Sequence, residues 1–98
     1  MIRAIELPDP AEFRRRKLPG SFHIDLTQGG PNGAAFWFFC PCGCEGFHQI
    51  IVGLGHKPAF SPSWNWNGSV SEPTLTPSVN QTRCGWHGWL RGGYWESV

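Results

Sequence analysis

The chain has 98 residues, room for one domain and not two, and a chain this short buries only roughly two thirds of its unfolded surface, so its core needs an additional staple. It is 40% hydrophobic, 14% aromatic and 15% charged with 13 Gly and 9 Pro, which argues against a helical bundle or long disordered tails and for a turn-rich β fold. A formal net charge of +1 argues against a duplex nucleic-acid partner, which selects for a pronounced basic face.

The basic run Arg14, Arg15, Arg16 and Lys17 is nearly offset by Glu6, Asp9 and Glu12 and reads as a solvated face. No window approaches the ~18–20 consecutive apolar residues of a membrane span. The opening Met1 to Lys17 carries charges where a signal peptide has its apolar stretch, so the expected compartment is the cytoplasm. Disulfides are rare there, and the four cysteines therefore read as metal ligands.

In chain order, Ile2, Ile5 and Leu7 suggest a brief strand broken by Pro8-Asp9-Pro10, and Ala11 to Lys17 a single helical turn ended by Pro19-Gly20. Ser21 to Leu26 alternates Phe22, Ile24 and Leu26 with His23 and Asp25, the period of a half-buried strand. A loop follows from Gln28 to Gly33. The continuous apolar run Ala34 to Phe39 suits a central strand covered on both faces, and Phe47 to Leu54 is its partner across a Cys/Gly/Pro turn. Residues 55–73, rich in Pro, Ser and Asn, read as an irregular loop anchored by Trp64 and Trp66. Thr74 to Val79, Cys84 to Leu90 and a segment from Tyr94 complete about six strands with little helix. The expected fold is mainly β: one small antiparallel domain over residues 1–98, with 1–35 as lead-in and first strand.

Zinc takes thiolate and imidazole ligands in tetrahedral geometry, and a structural site needs four. Five residues qualify: Cys40, Cys42 and Cys44 at one hairpin tip, Cys84 and His87 at another. Four thiolates would close the site and leave His87 for other work; with His87 coordinated, one cysteine is spare. In an extended strand positions 84 and 87 face opposite sides, which favours the four-cysteine set unless Gly85 makes a tight turn.

A hairpin turning through Asn80-Gln81-Thr82-Arg83 and centred near residues 82 and 83 puts Ser78 opposite His87, with Cβ atoms about 4.5–5.5 Å apart. That is within reach of a hydroxyl–imidazole hydrogen bond. A serine needs such a base because its hydroxyl is a weak nucleophile. Glu72 is the nearest upstream carboxylate for orienting the ring. His23 reads as solvated, His48 as a donor behind the knuckle and His56 as a loop residue. The tryptophans read as core and loop anchors ahead of a stacking platform for peptide or single strands.

Taken together, Cys40-Pro-Cys42-Gly-Cys44, the apolar strand after it, the Trp loop at 64–66, Thr74-Leu-Thr-Pro-Ser78-Val79 and Cys84-Gly-Trp-His87-Gly-Trp89-Leu with Gly92 and Trp95 resemble the BubE-like family of small bacterial and phage proteins. The resemblance covers about residues 36–95. It implies a zinc-stabilised serine protease encoded beside bacterial ubiquitin-like proteins and trimming their C-terminal tails. Carried onto this sequence, it implies Ser78 and His87 as catalytic residues. The family's cysteine knuckle falls on Cys40, Cys42 and Cys44 and its Cys-x-x-His on Cys84 and His87, with Cys40, Cys42, Cys44 and Cys84 read here as ligands of a structural Zn2+. It implies a ubiquitin-like protein or its peptide tail as partner. The substrate tail is expected to lie along an exposed strand edge. A non-catalytic zinc module that binds through its Trp-rich loop, and a catalytic zinc ligated by His87, are the competing readings.

Overall fold

The computed structural model describes residues 2–59, 62–81 and 84–98. Eight strands and one short helix follow each other as β1 (Ile2–Arg3), α1 (Pro10–Arg16), β2 (Phe22–Asp25), β3 (Gly33–Phe39), β4 (Phe47–Leu54), β5 (Trp64–Trp66), β6 (Leu75–Gln81), β7 (Trp86–Arg91) and β8 (Tyr94–Ser97). They form a single curled sheet in the order β1-β8-β7-β6-β5-β4-β3-β2. The mainly β class agrees with the sequence, while the strand count exceeds the expected six.

The curl brings the two ends of the sheet together. Beyond β1 the chain runs beside β2: the Leu7 amide donates to the Phe22 carbonyl at 2.9 Å and the Phe22 amide to the Ile5 carbonyl at 3.0 Å. Neighbouring strands pair antiparallel except β4 and β5, which run parallel through Val52–Trp64 and Leu54–Trp66. Strand β5 corrects the expectation of an irregular loop. Its Trp-Asn-Trp sequence is too short for a periodicity signal, and only the docking of Trp66 into the core makes it a strand.

Period-two alternation decides the inside of the curl. Phe22, Ala34, Phe36, Phe38, Val52, Trp66, Leu75, Val79, Leu90 and Trp95 form one buried cluster, with Trp64 and Trp86 packed against it. Phe22 and Phe36 stack at 5.0 Å, and the Trp95 indole, itself buried, donates to the Gly20 carbonyl at 2.9 Å. Every tryptophan among the described residues is buried or half-buried, Trp66 and Trp95 fully, as core and loop anchors are.

A second cluster sits on the outer face under α1. The Asp9 carboxylate caps the helix by accepting from the Ala11 amide at 3.0 Å, Pro10 begins it where a missing N–H costs nothing, and Lys17 ends it in the left-handed conformation at φ 47°. Phe13 is the helix's one buried residue and meets Phe39 at 4.8 Å, with Trp37 and Phe47 around it. Burying a side chain of this size is worth roughly 1.5–3 kcal/mol. The helix also buries His23, contrary to the expected solvated position: its Nδ1 lies 3.0 Å from the Leu7 carbonyl and its ring 5.0 Å from Trp37. The basic run is divided. Arg15 and Arg16 pair with Glu12 in solvent, whereas Arg14 lies over Trp37 at 4.9 Å and Phe47 at 5.1 Å. Among the described residues no helix is long and apolar enough to cross a membrane.

Candidate active site and thiol cluster

Cys40 follows the last residue of β3 and is buried, and the turn after it is shaped by backbone hydrogen bonds: the Gly43 amide donates to the Cys40 carbonyl at 3.2 Å and the Cys40 amide to the Gly46 carbonyl at 3.0 Å. Gly43 takes φ 88°, a conformation that L side chains resist. This compact turn aims three thiols at one point. The fourth arrives from the β6–β7 connection, where Gly85 at φ 79° closes a tight turn with its amide donating to the Gln81 carbonyl at 2.8 Å. Thr82 and Arg83, named above as turn residues, lie outside the described residues. Asn80 and Gln81 belong to strand β6 and not to the turn.

The sulfurs of Cys40, Cys42, Cys44 and Cys84 all lie within 4.8 Å of one another. Cys40 is 3.2 Å from Cys42 and 3.4 Å from Cys84, and Cys42 is 3.6 Å from Cys84. These separations are too long for a disulfide and close to the ~3.8 Å edge of a sulfur tetrahedron around an ion with 2.3 Å bonds. The donor set fits a single soft metal ion. Burial pushes the Cys40 thiol well above its ordinary range, whereas hydrogen bonds, first from the Cys40 thiol and then from the Cys44 amide, lower Cys42 to about 7. The hydrogen bond with Cys42 raises Cys44. One negative charge is thus already favoured at the cluster's exposed corner.

His87 is not among these groups. It projects from the outer face of β7, and its Nε2 lies 2.9 Å from the Ser78 hydroxyl oxygen on β6. Ser78 is half-buried and His87 exposed. The contact forms by a register other than the expected one. Leu75 faces Leu90 in the anticipated alignment, but a shift before Val79 sets Val79 against Gly88 and Asn80 against His87. Ser78 is therefore the diagonal neighbour of His87, a separation that an imidazole spans. Pro77 accounts for the shift: it has no amide hydrogen for a ladder, and prolines inside sheets sit at such irregularities.

The register also places Asn80, expected in the turn, on the same outer face and directly opposite His87. Trp89, Arg91 and Glu96 continue that face, with the Arg91 guanidinium 4.5 Å over the Trp89 ring and its Nε donating to Glu96 at 3.2 Å. Glu72 does not join the site. It stands beside Gly93 at the far end of β6, with its carbonyl accepting from Asn67 at 3.1 Å. His48 packs on Phe38 at 5.4 Å near the thiol turn, and His56 Nδ1 lies 3.3 Å from the local Leu54 carbonyl.

No curated protein and no solved structure matches the chain. A family model does, described as "Bacterial ubiquitination-like system serine protease (BubE)", over residues 7–98. The match takes in α1, β2 and the loop after it, a region that carries none of the motifs quoted for the resemblance. With nearly its whole length matched, the chain belongs to the BubE family of serine proteases from bacterial ubiquitination-like systems.

Proposed function

We propose that this protein is a zinc-stabilised serine peptidase that cleaves within the C-terminal tail of a bacterial ubiquitin-like protein, with Ser78 as nucleophile and His87 as its base. The observation that carries the reading is the 2.9 Å contact between the Ser78 hydroxyl and His87 Nε2 on an accessible outer face. Neutral imidazole takes the hydroxyl proton as the oxygen attacks the scissile carbonyl, then returns it to the leaving amine; water releases the acyl group by the same steps in reverse. The developing oxyanion needs a donor within about 2.7–3.1 Å. The Asn80 side-chain amide, on the same face, is the candidate.

The ladder of β5 and β6 ends at Asn65 and Thr76. Beyond it the Ser78 carbonyl is taken by the Trp64 indole, so a tail that adds as a strand would pair with the main chain of β6 past Ser78, towards Asn80. Cys40, Cys42, Cys44 and Cys84 would hold the zinc ion, whose contribution is to cross-link the β3–β4 and β6–β7 turns. A set of four sulfurs without imidazole or open position favours this structural role over a Lewis-acid one.

The test is active-site labelling with a fluorophosphonate probe, followed by peptide mapping, alongside cleavage of a ubiquitin-like precursor. Modification confined to Ser78, absent in Ser78→Ala and His87→Ala proteins that keep their metal, is the expected result. Full labelling and cleavage in Ser78→Ala would overturn it.

A further inference from the structure

The backbone of the nucleophile is held by a side chain from the neighbouring strand. The β5–β6 ladder stops at Asn65 and Thr76, one bonded pair short of Ser78. Trp64 instead uses its ring: the indole Nε1–H donates to the Ser78 carbonyl at 3.2 Å. An indole nitrogen can only donate, and the body of this ring packs against the buried core cluster. The core thereby grips the main chain of Ser78, next to the register shift before Val79 that leaves β6 least constrained by its other neighbour.

Building on the peptidase reading above, we infer that Trp64 is a positioning residue for Ser78, its indole N–H fixing the serine backbone so that Oγ stays on His87 Nε2. Without that donor the carbonyl turns to water, the Ser78 backbone gains freedom, and the hydroxyl spends less time in line with the imidazole. The Trp64 indole meets the Ser78 carbonyl and not its hydroxyl, so its loss is expected to act on the chemical step ahead of substrate affinity.

The experiment compares the metal-loaded full chain with Trp64→Phe and with a synthetic chain carrying 3-benzothienylalanine at position 64, which keeps the bicyclic shape and removes the N–H. Readouts are the fluorophosphonate labelling rate of Ser78, kcat and KM on a precursor, and the His87 ring-nitrogen resonances by 15N NMR. The expected result is labelling and kcat about tenfold lower in both variants, the scale of one lost hydrogen bond, with KM and metal content unchanged and the His87 resonances shifted. Wild-type labelling and unmoved His87 signals in the benzothienyl chain would overturn the assignment even where Trp64→Phe misfolds. If Ser78 of the unaltered protein takes no label, the peptidase reading fails separately. The His87 resonances then decide Trp64 alone, a shift in the benzothienyl chain supporting its hold on Ser78 and no shift refuting it.

Discussion

The thiol cluster and the Ser78–His87 pair lie at successive points of the same β6–β7 hairpin, yet they are assembled in opposite ways. The cluster is made of turns: three of its four thiols come from five consecutive residues, so local backbone geometry brings them together, and one distant residue, Cys84, completes it. The pair is made of strand faces, and a two-residue shift inside the β6–β7 ladder leaves its members diagonal to one another instead of directly opposite. A turn-built site needs an ion to stay closed. A strand-built site needs a register, and here the residues that hold the register belong to the core.

The sharpest way to separate the two is to remove one without the other. Ser78→Ala is expected to lower precursor cleavage by at least about a thousandfold, as loss of a nucleophile does. The thermal midpoint and metal content should stay near those of the parent, because the hydroxyl faces outward and fills no core space. A large drop in midpoint would mean that Ser78 is structural.

Cys84→Ser attacks the other site. The ion would lose the thiolate that ties it to the β6–β7 turn, and because metal affinity contributes directly to folding, the midpoint should fall and metal bind at least about tenfold more weakly. Cleavage should fall as well, since the same turn leads into β7 and His87. An unchanged midpoint after chelation would break the comparison. Phe13→Ala is the control away from both sites: about 3–5 kcal/mol lost in denaturant unfolding, with the metal site intact once folded.

Acidity acts on the cluster with a definite sign. In the metal-free protein the Cys42 thiol is lowered from 9.0 to about 7 by the hydrogen bonds it accepts, so its stabilising contribution is complete above the ordinary thiol value and is lost as pH falls through about 7. Alkylation followed by mass spectrometry should find Cys42 reacting first, with a midpoint near 7, ahead of the buried Cys40. Equal rates at both thiols would contradict this order. The smallest effect is expected at Gly46, where a Cβ would lie 3.2 Å from both the Cys44 sulfur and His48 Nε2. Gly46→Ala should displace one of those rotamers at about 0.5–1.5 kcal/mol, read by competition titration as up to about tenfold weaker metal binding.

The β class was legible in the residues alone, through the alternation at Ser21–Leu26 and the apolar runs Ala34–Phe39 and Phe47–Leu54, and so was the gathering of Cys40, Cys42 and Cys44, because spacing within five residues is a local property. Other features were decided only in three dimensions. His23 is buried because α1 folds back over β2, β5 exists because Trp66 reaches the core, and Asn80 faces His87 because Pro77 cannot donate to the ladder. These outcomes depend on partners far along the chain. Period-two alternation says which face a residue takes but not which residue stands across from it, and that choice falls to packing summed over all the strands together.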